Sequence, residues 1–262
     1  MKAILVVSFG TSYKETRKVT IEATEKEIEN QFKDYKIYKA WTSKKIIAKV
    51  LKTQNISVLT IKQAIEQMKQ DGITDVIVQP THIMNGIEND TMKTEVSLYK
   101  ADFNSITFGN PLLTSWEDMD KSVEIMANEF ADTNNDTAIV LMGHGTEHYA
   151  NMAYAALDYN FKDKGYNRFF VGTVEAFPSA QNVMTAVTKS GYTKVMLTPF
   201  MLVAGDHANN DLIGDEDDSW KSQFENAGFQ VSYRLKGLGE YADIRKIFVE
   251  HIKETQGRVY EH

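Results

Sequence analysis

Two stretches of this chain repeat the same residue pattern at a constant spacing, and this repeat constrains the fold more than any other feature. The stretch DGITDVIVQPTHIMNG (71–86) aligns with SGYTKVMLTPFMLVAG (190–205), so that two glycines and a proline of each lie 119 residues apart. The shorter stretch VSFGTS (7–12) aligns with MGHGTE (142–147) at an offset of 135 residues. A repeat of this kind predicts two similar structural halves.

Four short apolar runs predict strands that are buried on both faces, because they are rich in Val, Ile and Leu and lack the alternation of half-exposed strands. These runs are AILVVSF (3–9), DVIVQP (75–80), TAIVLMG (137–143) and KVMLTPF (194–200). Between them, apolar residues at helical spacing over 61–68 and 123–130 predict amphipathic helices. Alternating helices and buried strands indicate an α/β fold with parallel sheets.

The predicted architecture has two similar lobes, each a parallel sheet flanked by helices, with a cleft between them. The polar stretch NEFADTNNDT (128–137) follows a predicted helix and precedes a predicted strand. We therefore predict an N-terminal α/β lobe over 1–128 and a C-terminal α/β lobe over 129–262, the latter with most of the metal-site residues. An amphipathic segment at about 240–255 predicts a last helix, for which packing on the N-terminal lobe is one of two alternatives.

Composition excludes several kinds of chemistry. The chain has no cysteine, which excludes thiolate catalysis and Cys-bound zinc, so any metal must be bound by His, Asp or Glu. A formal charge of −7 argues against nucleic acid as a partner. No apolar run approaches the roughly 20 residues that span a bilayer, and no secretory signal pattern occurs, so we expect a cytoplasmic protein without a membrane partner. Since neither a P-loop nor G-x-G-x-x-G occurs, we expect no nucleotide cofactor.

Two histidines stand at predicted strand ends in the second half. His144 and His207 occupy positions that hold Phe9 and Glu88 in the first half, a difference that the fold itself does not require. The carboxyl ends of parallel strands are where α/β folds bind ligands. We therefore predict one site, built mainly by the second half. The alternatives are a loop histidine bonded to a backbone carbonyl for His144 and a turn or helix cap for His207.

Glu175 is the third candidate ligand, near the end of the predicted strand in RFFVGTVEAFPS (168–179). A carboxylate in an apolar setting requires an ion pair or a bound cation. Two imidazoles and one carboxylate suit Co²⁺, Fe²⁺, Ni²⁺ or Zn²⁺ better than Mg²⁺ or Ca²⁺. Asp206, next to His207, is the predicted acceptor that orients its ring.

The remaining histidines are weaker candidates. His82 follows a strand of the first half and either faces the same cleft or is an ordinary loop histidine. Glu147 and His148 belong to the beginning of a predicted helix and are not assigned to the site. His251 and His262 lie on or after the last helix and are not assigned either.

Four motifs carry a family resemblance: ILVVSFGTSYKET, MGHGTEH, VGTVEAFPS and PFMLVAGDHANNDLIGDEDDSWK. Together they resemble the anaerobic cobaltochelatases of the CbiK family, which are class II chelatases, and the resemblance extends over nearly the whole chain. It implies a chelatase-like fold with a tetrapyrrole cleft. It also implies a lyase-class enzyme that inserts Co²⁺ into sirohydrochlorin without ATP, in anaerobic cobalamin (vitamin B12) biosynthesis.

The resemblance further implies roles for individual residues. His144 is the expected proton acceptor and a metal ligand, and Glu175 and His207 complete the expected metal site. The expected partners are sirohydrochlorin and a divalent metal ion, and association into a homo-oligomer is expected. Because strand-to-helix turns present free N–H groups to anions, the candidates for contacts with the macrocycle and its carboxylates are Gly10, Thr11, Ser12 and Gly145, with His82 as a further candidate at the cleft.

Two alternatives stay open at this point. Histidine and glutamate do not select sharply among Fe²⁺, Co²⁺ and Ni²⁺, so insertion of iron or nickel into the same macrocycle is one alternative. The other is a non-catalytic protein that binds a tetrapyrrole or a metal ion.

Overall fold

The computed structural model describes residues 1–257, which form two compact units. The first unit comprises Met1–Thr114 together with the C-terminal segment that begins at Gly239, and the second comprises Ser115–Leu238. Each unit contains a four-stranded sheet in which all paired strands run parallel. This confirms the predicted fold class, an α/β protein with two similar parallel sheets flanked by helices.

In the first unit, strands and helices alternate along the chain. Up to residue 108 its elements are β1 (Lys2–Ser8), α1 (Lys14–Val19), α2 (Ile21–Gln31), β2 (Lys36–Trp41), α3 (Lys44–Gln54), α4 (Ile61–Gln70), β3 (Asp75–Pro80), α5 (Ile87–Ser97), a 3-10 turn (Lys100–Asp102) and β4 (Ser105–Phe108). The strand order is β2-β1-β3-β4. Along β1, Leu5 packs into the core on one face of the sheet and Ile4 into the core on the other. This two-sided burial explains why the run lacks alternation.

The second unit repeats this plan. Its elements are α6 (Trp116–Glu129), β5 (Thr137–Gly143), a 3-10 turn (Tyr149–Asn151), α7 (Met152–Asp163), β6 (Phe169–Thr173), α8 (Ala180–Lys189), β7 (Lys194–Pro199), a π-helical turn (Ala208–Leu212), α9 (Trp220–Asn226) and β8 (Gln230–Tyr233). The strand order is β6-β5-β7-β8, so the central pair of strands corresponds to that of the first unit. A 3-10 turn (Leu238–Glu240) and α10 (Ala242–Gly257) follow.

The sequence repeat corresponds to the same strand register in both sheets. Val7 of β1 lies opposite Pro80 of β3, and Met142 of β5 lies opposite Pro199 of β7. In the sequence repeat, Met142 aligns with Val7 and Pro199 aligns with Pro80. The offsets of 135 and 119 residues therefore describe equivalent positions in two similar sheets.

The predicted helices and strands are confirmed with small differences at their ends. Ile61, Ile65 and Met68 on α4 are buried, as is Val123 on α6, so the apolar stripes face the cores. The predicted strand over 168–179 is shorter than expected, because the N–H of Thr173 donates to the carbonyl of Pro178 and the chain turns back there. No helix within residues 1–257 is long and apolar enough to cross a bilayer.

The two compact units do not divide between residues 128 and 129, where the sequence analysis places the lobe boundary. Helix α6 belongs to the second unit, because Asn160 of α7 donates to Asp120 with 2.7 Å between Nδ2 and Oδ1. Helix α10 belongs to the first unit, where Val249 and Ile252 pack into the core that contains Ile4. The polar stretch 128–137 is a connection inside the second unit.

Candidate metal centre

The three predicted ligands follow three neighbouring strands of the second sheet. His144 comes directly after β5, the strand that pairs with both β6 and β7. Glu175 follows β6, and His207 follows β7 after a loop. Because the strands are parallel, their three carboxyl ends lie at the same edge of the sheet. Strand β5 lies between β6 and β7, so the strand order reverses at this point. The three strands are neighbours in one sheet, in the order β6-β5-β7.

The structure brings the three side chains together. One ligand atom from each of His144, Glu175 and His207 lies within 4.8 Å of the other two. The ring centroids of the two histidines are 4.5 Å apart, with the ring planes at 88°. An ion with bonds of about 2.1 Å in a tetrahedral site holds its donors about 3.4 Å apart, so small inward movements of these side chains would close the site.

His207 is oriented by a carboxylate that the sequence analysis did not select. Its Nδ1 lies 2.7 Å from Oδ2 of Asp211, four residues later, in the π-helical turn. The sequence analysis named Asp206 for this role, whereas the acceptor at Nδ1 is Asp211. Since a carboxylate accepts hydrogen bonds, the arrangement assigns the proton of a neutral ring to Nδ1 and leaves the lone pair of Nε2 to bind a metal.

The ring proton and the lone pair of His144 occupy the same nitrogens as those of His207. Nδ1 of His144 lies 2.8 Å from the carbonyl oxygen of Gly145, which can only accept, so the neutral ring carries its proton on Nδ1 and has a lone pair on Nε2. Oε2 of Glu175 is 3.7 Å from the same Nδ1. The side chain of His144 is 45% exposed, which allows exchange of protons with solvent.

Glu175 differs from the expectation in one respect. Its side chain is 55% exposed, so it is not a carboxylate in an apolar setting and needs no partner for burial. The strand ends before it, and its N–H donates to the carbonyl of His144 at 2.9 Å. Glu175 thus belongs to a loop that is bonded to the loop of His144.

Close backbone packing fixes the loop that follows β5. Gly145 has φ +88°, and a Cβ there would lie 2.9 Å from the backbone nitrogen of Ala176, so this position requires glycine. Tyr154 is buried beneath the loop, and its ring would clash with any side chain at Gly143. Burial raises the pKa of Tyr154 to about 12, and the backbone N–H groups of Gly145 and His144 partly oppose this.

The predicted macrocycle residues Gly10, Thr11 and Ser12 belong to the first unit and lie outside the cluster of three ligands. Gly10 has φ +104°, with the ring of Trp41 against it. Thr11 is buried, and its hydroxyl accepts the N–H of Tyr13 at 3.2 Å. That bond uses a lone pair of the hydroxyl and not its O–H, so it does not weaken Thr11 as a donor to a ligand.

His82 also lies in the first unit, two residues after β3. Within residues 1–257, neither ring nitrogen has a hydrogen bond of good geometry, and both are shielded from solvent. Burial lowers the pKa of His82 to about 4, which the nearby side chain of Asn89 partly offsets. The ring is therefore neutral at physiological pH.

The residues that the sequence analysis left out of the site have other surroundings. Nδ1 of His148 accepts the N–H of Ala150 at 3.1 Å at the beginning of the 3-10 turn. Nδ1 of His251 lies 2.9 Å from the carbonyl of Asn110, and this histidine is buried. Glu147 is exposed, and His262 lies outside the described residues.

Comparisons with known proteins identify the family. The family model described as "Cobalt chelatase (CbiK)" matches residues 2–257. The chain belongs to this cobalt chelatase family.

Two members with curated names match it over nearly their full length. The sirohydrochlorin cobaltochelatase of Salmonella typhimurium (strain LT2) is 37% identical over 260 residues, which are 99% of this chain and 98% of that protein. The sirohydrochlorin cobaltochelatase CbiKC of Nitratidesulfovibrio vulgaris (strain Hildenborough) is 28% identical over 254 residues, 96% of this chain and 89% of that protein.

A solved structure supports the same fold. SirB from Bacillus subtilis with Fe³⁺ superposes with a TM-score of 0.69 at 15% identity, covering 98% of this chain and 96% of that one. At this identity the similarity shows the fold alone.

Proposed function

We propose that this chain is a sirohydrochlorin cobaltochelatase, which inserts Co²⁺ into sirohydrochlorin without ATP in anaerobic cobalamin biosynthesis. The main support is the meeting of two imidazoles and a carboxylate at one edge of a parallel sheet. Membership of the CbiK family and the name of the Salmonella relative support the choice of macrocycle and metal.

The proposed metal ligands are His144, Glu175 and His207. Both imidazoles present an Nε2 lone pair, since hydrogen-bond acceptors engage both Nδ1 atoms. These donors suit Co²⁺, and also Fe²⁺, Ni²⁺ and Zn²⁺. Three protein ligands leave coordination positions open for the macrocycle nitrogens.

His144 is the proposed proton acceptor. Insertion replaces two pyrrole protons by one divalent ion, so charge balances without oxidation, reduction or nucleotide hydrolysis. Once the ion has left Nε2 of His144 for the ring, that lone pair can accept a pyrrole proton, and the exposed side chain can pass it to solvent before it accepts the second. The carboxylate of Glu175, 3.7 Å from Nδ1, would stabilise the imidazolium form.

The other expectations are parts of the same proposal. Sirohydrochlorin and a divalent metal ion are the proposed partners, and a cytoplasmic location and a homo-oligomer are proposed with them. The prediction that the C-terminal lobe holds most of the metal-site residues also belongs to this proposal, with the compact unit Ser115–Leu238 in place of the predicted lobe 129–262 and the first unit in place of 1–128. The proposed contacts to the macrocycle are Gly10, Thr11, Ser12, His82 and Gly145.

The experiment that tests this function follows the absorbance of sirohydrochlorin under anaerobic conditions after addition of Co²⁺, Fe²⁺ or Ni²⁺. Four samples are compared: the wild-type protein, His144→Ala, Glu147→Gln and a sample without protein. Glu147→Gln is the matched control on the same loop. We expect Co²⁺ insertion to be fastest, and His144→Ala to slow it by about 100-fold or more because the positioned base is lost. Glu147→Gln should leave the rate unchanged.

Each contrary result has a definite meaning. Faster insertion of iron or nickel than of cobalt would change the proposed metal. Tight binding of the macrocycle without accelerated insertion would show a tetrapyrrole-binding protein instead of an enzyme.

A further inference from the structure

The side chain of Asn151 connects the loop of His144 to the loop of Glu175. Its Oδ1 accepts the N–H of Thr146 at 3.1 Å, two residues after His144. Its Nδ2 donates to the carbonyl of Phe177 at 2.6 Å, two residues after Glu175. One amide therefore uses its acceptor on one ligand loop and its donor on the other.

This arrangement is not the usual use of a polar residue at the beginning of a helix. Asn151 directly precedes α7, but its side chain makes no capping hydrogen bond to that helix. The preceding turn is capped by His148 instead, whose Nδ1 accepts the N–H of Ala150 at 3.1 Å. The amide of Asn151 is thus available to connect the loops, and helix capping does not account for asparagine at this position.

Among the described residues, the backbone hydrogen bonds that join the two loops lie at or before the two ligands, while Pro178, beyond Glu175, is bonded back to Thr173 of its own strand. The N–H of Val174 donates to Gly143 at 3.0 Å, and the N–H of Glu175 donates to His144 at 2.9 Å. These bonds lie on the strand side of the two ligands. Asn151 bonds Thr146 and Phe177, which follow the two ligands along the chain. Each ligand therefore has a hydrogen-bonded backbone group on both sides of it in the sequence. With the His144 ring only 3.7 Å from the Glu175 carboxylate, a small separation of the loops would widen the metal centre.

We propose that Asn151 is a positioning residue that sets the separation of His144 and Glu175 and thereby the affinity of the centre for Co²⁺. This inference rests on the proposed function, since it takes the two residues to be ligands of the substrate metal. Asn151 is neutral and acts through hydrogen bonds, so its effect does not depend on attraction of the cation. Truncating it should widen the centre without removing a ligand.

The test measures binding of Co²⁺ alone, by the visible absorption of the bound ion, in full-length wild-type protein and in Asn151→Ala. The matched control is Asn182→Ala, which removes the acceptor of the Ser179 N–H in the capping box of α8, outside the bridge between the ligand loops. Thermal unfolding of each variant measures stability separately. We expect Asn151→Ala to weaken Co²⁺ binding by about 10-fold to 100-fold, and Asn182→Ala to leave it unchanged.

A double-mutant cycle with Glu175→Ala distinguishes positioning from a general structural role. If Asn151 acts partly through Glu175, its truncation costs less Co²⁺ affinity when Glu175 is already absent. Equal losses in both backgrounds, or wild-type Co²⁺ affinity in Asn151→Ala, would overturn this inference alone. Failure of the wild-type protein to bind Co²⁺ would overturn the metal-site proposal and, with it, the inference.

Discussion

The half-buried ring of His82, whose two nitrogens are shielded from solvent, predicts a specific loss of stability in acid. Its pKa in the folded protein is lowered from 6.5 to about 4 by burial, so the folded state resists protonation that the unfolded chain accepts. The contribution to stability is therefore fully present above the unfolded pKa of 6.5 and is lost as the pH falls towards about 4. One pKa unit corresponds to about 1.4 kcal/mol, and the loss between about pH 7.5 and about pH 4.5 amounts to about 2.5 kcal/mol.

The assay is urea unfolding of the wild-type protein and of His82→Phe at several pH values. The phenyl ring preserves most of the side-chain volume and cannot be protonated. The difference in unfolding free energy between the two proteins should stay constant above about pH 7.5 and shift by about 2.5 kcal/mol in favour of His82→Phe by about pH 4.5. A difference that does not change with pH would refute the reasoning, because it would mean that the folded state accommodates the charged imidazole.

Three further predictions concern the metal centre and the last helix. Asp211→Asn should weaken Co²⁺ binding about tenfold in a spectroscopic titration, because the carboxylate that holds Nδ1–H of His207 is lost; unchanged affinity would contradict this. Gly145→Ala should lower the unfolding free energy by about 1 to 3 kcal/mol, owing to its positive φ and the contact with Ala176, and an unaltered midpoint of unfolding would contradict it. Ile252→Ala should cost about 2 to 5 kcal/mol in denaturant unfolding if α10 is integral to the first core, and a cost below about 1 kcal/mol would show otherwise.

The sequence predicts most of the fold and the three candidate ligands because each depends on strand placement. The two-sided burial of β1 and β5 removes alternation from their sequences, and the repeat fixes equivalent registers in the two sheets. Once β5 is known to be central, His144, Glu175 and His207 must lie at one edge of the sheet.

What the sequence does not predict depends on contacts between distant residues. Asp211 contacts His207 through a π-helical turn, and no sequence pattern predicts such a turn. A carboxylate four residues after a histidine is nevertheless a signal that could have indicated this contact. Asn151 gives no such signal, because its partners are backbone groups of two separate loops. The unit to which α6 and α10 belong is decided by core packing, whereas the polar stretch 128–137 indicates only a connection.

The central claim is that His144, Glu175 and His207 form one site for the metal that is inserted. The most direct measurement is a crystal structure of the protein soaked anaerobically with Co²⁺, in which anomalous scattering at the cobalt edge locates the ion. Our account predicts one ion bound about 2.0 to 2.2 Å from Nε2 of both histidines and from a carboxylate oxygen of Glu175, with Nδ1 of His207 still bonded to Asp211. Cobalt bound elsewhere, with these three side chains unoccupied, would contradict it.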